Sequence, residues 1–136
     1  MKILMFYTPE FWFKTFQKML PDVPDADEER KVENAVVVFY HCESEDEDRF
    51  KTVLAKAVKN IKWLTRKFNT ETVVLHSFSH LSTSKASTEF TESLINHVKL
   101  KLRNVDYTIH ETPFGYLNEW KIHVAGESLA KVFKDI

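Results

Sequence analysis

Residues 112–124, Thr-Pro-Phe-Gly-Tyr-Leu-Asn-Glu-Trp-Lys-Ile-His-Val, constrain this chain more than any other stretch. They read as a tight turn feeding a strand. Pro113 fixes its own φ ahead of the turn, and Gly115, one of only two glycines in the chain, can take a backbone angle that a side chain resists. From Tyr116 onward the pattern has period two. Asn118, Trp120, Ile122 and Val124 point one way, and Leu117, Glu119, Lys121 and His123 the other. Three of the first four are apolar, so that face is expected to meet the core, with Asn118 at the inward mouth of the strand. A polar side chain there is either capped by backbone or lines a pocket.

The length of 136 residues fits one domain, residues 1–136. Eleven Phe and three Trp supply ample core. A net charge of −1 gives no overall field that would attract nucleic acid, which leaves only a local basic face for that purpose. The single cysteine, Cys42, rules out a disulfide framework within the chain and any CxxC zinc site. No run reaches the roughly 18 apolar residues of a membrane span, and no signal-peptide pattern opens the chain, so a soluble cytoplasmic protein is expected. No glycine-rich phosphate cradle is present, and no cofactor is expected.

The apolar run at residues 2–7 reads as a central strand stopped by Pro9. Residues 10–17 carry Phe11, Trp12, Phe13 and Phe16, whose spacing fits a strand and a helix about equally. A polar connection with Pro21 and Pro24 leads to residues 33–42, whose centre, 35–40, is the clearest buried strand. The acidic block 43–48 reads as a solvated loop entering a helix N-terminus. Helix is expected over 49–67, where Phe50, Leu54, Ala57, Val58, Ile61 and Leu64 form one face. Its other face carries Lys56, Lys59, Lys62, Arg66 and Lys67; this reads as a solvated face that could also touch a phosphate backbone. A buried strand at 72–78, a helix at 85–102, a strand at 105–111 and the strand after Gly115 complete the middle of the chain. Residues 127–136 read as a closing helix carrying Leu129, Ala130 and Phe133. The order describes an α/β protein with a single-layer mixed sheet and two long amphipathic helices.

Among the groups able to carry chemistry, His80 stands out. It lies just past the C-terminal end of a buried strand, where α/β folds place ligand-binding groups, although Ser79 and Ser82 could equally hold it within the loop. The other five histidines have no metal-ligand spacing. Cys42 and His41, being adjacent on a strand, face opposite ways. Residue chemistry alone points to a pocket near His80 and Asn118 without naming a reaction.

The run 73–82, Val-Val-Leu-His-Ser-Phe-Ser-His-Leu-Ser, the amphipathic helix after it, and Pro113-Phe-Gly-Tyr116 leading to Lys121, Ile122 and Gly126 resemble the archaeal threonyl-tRNA synthetase editing domain. That domain is similar in fold to the D-aminoacyl-tRNA deacylases, and the resemblance covers the whole chain. It implies proofreading: hydrolysis of seryl-tRNA formed in error on the threonine tRNA, at a second site, because a methyl group alone discriminates poorly by affinity. It also implies the 3′ end of an aminoacyl-tRNA as partner, a homodimer, and a threonyl-tRNA synthetase lacking its own editing domain as a further partner. His80 matches the family's pocket histidine. Phe78, Leu81, Ser82, Pro113, Phe114, Gly115 and Tyr116 match the frame around it, with Ser79 inside the same motif.

The family's Tyr-Lys pair falls on Leu117 and Asn118, so its main catalytic lysine is an asparagine here. The family's glutamate near the C-terminus falls on Lys131, which raises a charge swap between the strand mouth and the last element. Two further readings therefore stand beside hydrolysis: a binding module for aminoacyl-tRNA or an amino acid, and a dimerising module serving a synthetase.

Overall fold

The computed structural model describes residues 1–136. Six strands and two helices run in the order β1 (Lys2–Lys18), β2 (Glu29–His41), α1 (Phe50–Lys67), β3 (Thr72–Ser77), α2 (Thr88–Arg103), β4 (Thr108–Glu111), β5 (Tyr116–His123) and β6 (Lys131–Asp135). Short 3-10 turns at Ser44–Asp48 and Ser128–Ala130 join them. The strands make one mixed sheet ordered β4-β3-β2-β1-β5, with β6 also pairing with β1. β2, β3 and β4 are parallel, so each junction needs a crossover, and α1 and α2 provide them. Both helices cover one face: Ile3, Met5, Val36, Val38, Val73 and Leu75 pack beneath Ile61, Leu64, Leu94 and Val98. The α/β reading with one mixed sheet and two long helices holds.

β1 does not end at Pro9. It continues to Lys18, and residues 10–17 belong to it as strand. Pro9 appears in no pairing register of the sheet, so its missing N–H leaves no ladder bond unmade. β6 pairs with β1 up to Phe6, and β5 takes over from Glu10, so the two strands occupy the same edge in succession. At this point the faces of the sheet exchange. Ile3 and Met5 lie on the helix side, but Phe11 and Phe13, of the same parity, lie on the other side with Val37, Phe39 and Val74. Asn34, opposite Pro9, has φ 50, a left-handed angle that asparagine tolerates and that rotates the neighbouring side chains. The exchange curls the sheet and gives its outer face a core of its own.

The C-terminal segment is a correction to the expected helix. Residues 128–130 form a 3-10 turn and Lys131–Asp135 a strand. An isolated helix of this length is weak, and the free edge of β1 offers a full ladder instead. Val132 and Ile136 then pack against the helix-side core. The fourth strand begins only at Thr108, because Asp106 (φ 69) closes a turn after α2. α2 begins at Thr88, where the Ser87 hydroxyl caps Phe90 N–H at 3.2 Å.

The acidic block is not simply solvated. Asp46 is fully buried and bonds the Met1 α-amine at 2.8 Å and Arg49 at 3.0 Å. Glu43 receives the Met1 amine, Lys2 and the Ser82 hydroxyl. Burial alone would raise its carboxyl, but those donors outweigh it and hold it at about 2.

Candidate functional site

β3 leaves the sheet at Ser77, and Phe78 N–H still donates to Tyr40 O at 3.0 Å, which fixes the exit of the strand. The chain then turns outward through Ser79 and His80. Buried His41 anchors the rest of this loop: its Nδ1 accepts from Leu81 N–H at 3.3 Å and its Nε2 lies 2.7 Å from Ser84 O. Those partners assign the ring proton to Nε2. The Ser82 hydroxyl donates to Glu43 at 2.7 Å, so the serine-rich loop is tied down at three points.

The opposite wall is the turn 113–116. Gly115 has φ +82, and a Cβ there would lie 2.8 Å from Val23 Cγ1 and 3.2 Å from Leu20 Cβ. Both the angle and the space require glycine. Its carbonyl accepts from Met19 N–H at 2.7 Å and Leu20 N–H at 3.1 Å. Tyr116 Oη accepts from Ala26 N–H at 2.9 Å, tying the 24–26 segment to the start of β5.

Between these walls lies a cavity of about 400 Å³. Phe78, Ser79, His80, Tyr116, Leu117 and Asn118 all border it, although His80 and Asn118 are far apart in the chain. Leu81 and Lys131 do not. Leu81 instead gives its backbone N–H to His41. Lys131 opens β6 and turns its Nζ onto the carbonyls of Ala125 (3.0 Å), Gly126 and Glu127 (3.4 Å each). There it caps a loop, consistent with the residue standing on a strand rather than the expected helix.

His80 is exposed at the mouth, its ring edge-on to Phe78 with centroids 5.0 Å apart. No hydrogen bond within the chain is donated by the backbone N–H of Ser79 or His80. Asn118 Nδ2 donates to Tyr116 O at 3.2 Å, whereas its Oδ1 is buried and has no partner. No lysine, arginine or carboxylate borders the cavity. Lys121 faces away, over the Trp12 ring.

His76 also borders the cavity. Sequence pattern did not single it out, though by the period of two it shares a strand face with Val74. It is buried, 2.9 Å from the Thr112 hydroxyl and packed on Phe39 and Trp120. Burial lowers its imidazole to about 4, so the ring is neutral at ordinary pH. Trp120, expected toward the core, lies at the cavity rim and is 37% exposed.

A smaller recess of about 150 Å³ adjoins at Ser77, Ser79 and Phe114. Tyr40 Oη borders it, buried and without a hydrogen-bond partner. Cys42 lies there too, its thiol pushed up to about 12 by burial, which makes it an inert packing group and not a nucleophile.

A curled mixed sheet with two helices on one face and a cavity at the strand ends defines a known fold. The structure of the c-Myc DNA Unwinding Element Binding Protein shares it, with a TM-score of 0.68 over 100% of this chain and 99% of that one. At 14% identity that likeness shows the fold alone. The family is shown by sequence: the model of the archaea-specific editing domain of threonyl-tRNA synthetase matches residues 1–136, and the chain belongs to that family. Among curated relatives, the threonine--tRNA ligase of Hyperthermus butylicus is 26% identical over 141 residues, covering 99% of this chain and 23% of that protein. The corresponding ligase of Staphylothermus marinus is 28% identical over 140 residues, covering 100% of this chain and 22% of the ligase. The chain thus spans less than a quarter of the length of these relatives.

Proposed function

We propose that this chain, as one editing-type unit over residues 1–136, hydrolyses a mischarged aminoacyl-tRNA, seryl-tRNA for threonine, in the cavity between His80 and Asn118. Family membership supports the substrate class. The observation that carries the placement is Asn118 Oδ1, a buried acceptor without a partner on the wall that His80 also borders. Buried acceptors are rarely left unpaired, and an incoming ammonium or water would satisfy this one. Neighbouring Ser79 and His80 N–H groups, unbonded in the chain, suit an oxyanion. Water attacks the ester carbonyl carbon; the bond to the ribose oxygen then breaks, and His80 carries the proton from the water to that oxygen. Phe78, Tyr116 and Leu117 form the walls against which the aminoacyl group rests.

One observation favours a second reading. The cavity is lined by no lysine or arginine, so the charge stabilisation of a lysine is missing. A module that binds the aminoacyl end without cleaving it fits that composition. In either reading a homodimer, covering exposed Leu129 and Phe133, and association with a synthetase lacking its own editing domain fit the exposed apolar residues.

The test is turnover of pre-formed seryl-tRNA and threonyl-tRNA for threonine by the purified chain. Selective loss of the seryl ester is expected. Binding without turnover would move the conclusion to the second reading.

A further inference from the structure

The outer face of α1 takes no part in the cavity. Between Phe50 and Lys67 the helix carries six cations, Lys51, Lys56, Lys59, Lys62, Arg66 and Lys67, and no acidic residue, in a chain whose net charge is −1. The buried positions Val53, Leu54, Ala57, Val58, Ile61 and Leu64 occupy one side. The cations occupy the rest, and none of them forms an ion pair in the chain. Acidic partners at i+3 or i+4 would ordinarily be interleaved on a merely solvated face.

The surface is also concave. Lys62 and Arg66 border a cleft of about 640 Å³ with Asn34, Asn69 and the hydroxyl residues Thr70, Thr72 and Thr108, where Glu71 is the one carboxylate. Arg66 lies also in a depression of about 430 Å³ with Lys59, Trp63 and Lys67. Lys62 shares a third, of about 330 Å³, with Lys101 of α2. Lys134 of β6 adds its charge over the Trp63 ring, 5.3 Å from the centroid. Unpaired cations from three elements, set among hydroxyl and amide side chains around linked hollows, match a line of phosphates rather than one small anion.

We infer that this face docks the phosphate backbone of RNA, at a surface separate from the cavity at His80. The identification of that RNA as the substrate tRNA rests on the proposed function; the attraction to phosphate does not. α1 leads from the end of β2 to the start of β3, its 18 residues span about 27 Å, and the largest basic cleft borders the starts of β3 and β4, at the end of the strands opposite the cavity.

The experiment is anisotropy of a labelled, uncharged threonine tRNA transcript, titrated with the full chain between about 50 and 200 mM salt. The variant Lys59→Gln/Lys62→Gln/Arg66→Gln/Lys67→Gln is expected to bind at least about tenfold more weakly at the lower salt. The slope of log K against log salt should shrink by about 3, at roughly 0.7–0.9 for each phosphate no longer neutralised. Lys14→Gln/Lys121→Gln, elsewhere on the surface, should change neither. If the fourfold variant does not fold, Lys59→Gln/Lys67→Gln should remove about half of the slope. Unchanged affinity and slope would overturn the inference, as would binding to phosphatidylserine vesicles with none to RNA. A chain that binds with this salt dependence but cleaves no ester removes the deacylase reading alone. One that cleaves while the fourfold variant binds normally removes the docking surface alone.

Discussion

Gly115 is the residue on which the cavity wall depends most directly. A Cβ at φ +82 is strained and meets Val23 at 2.8 Å, so Gly115→Ala should cost about 2 kcal/mol or more, read as a lower midpoint in urea unfolding. His76 gives a second expectation. Its folded-state value of about 4 lies below the ordinary 6.5, so the unfolded chain binds the extra proton between those values. Stability from this residue is complete above about pH 6.5 and is lost as pH falls toward 4, on the order of 3 kcal/mol in all. Urea midpoints of the wild type and His76→Leu, compared at several pH values, should diverge in that window; parallel curves would contradict the burial of a neutral ring. Glu43 titrates lower, between about 4.5 and 2, so the two contributions separate. His80 and Asn118 were legible at this scale, one by its place after a strand and the other by parity and an unusual polar position. His76 was equally open to the parity argument, whereas Met19 and Leu20 were not. They reach the cavity only because the Gly115 carbonyl holds their N–H groups, and no local pattern encodes that bond.

At the scale of elements, both helices and the buried strands β2 and β3 are legible from periodicity because burial on one face is what the period records. The ends of elements depend on single bonds. Ser87→Ala removes the cap on Phe90 N–H and should cost about 1 kcal/mol, with early fraying of α2 visible in hydrogen exchange at residues 88–91. The C-terminal segment misleads because Leu129, Ala130 and Phe133 fit a helical stripe over too few residues to decide. Pairing with β1 decides it, and that edge is vacant only because β5 ends its ladder at Glu10. Pro9 misleads for a related reason: a proline ends a strand only where its N–H would have been used.

For the molecule as a whole, the exchange of faces near Pro9 and Asn34 sets the site. It places Phe11, Phe13 and Phe39 on the outer face, and it brings β5 over that face, so that Trp120 and Asn118 meet the end of β3. No strand or helix read alone announces this curl. The family motifs do, because they carry the outcome of the whole packing arrangement. Across the molecule, charge is also segregated: the cavity holds no lysine or arginine, and α1 holds six. The proposed docking of an RNA and the proposed chemistry on its end thus fall on different surfaces. The most direct measurement of the central claim is single-turnover cleavage of seryl-tRNA for threonine by the wild type, His80→Ala and Asn118→Ala, with unfolding midpoints alongside. Wild-type cleavage that falls at least about tenfold in both variants, without a matching loss of stability, is the expected result. Cleavage unaffected by either substitution would contradict the placement of the reaction in this cavity.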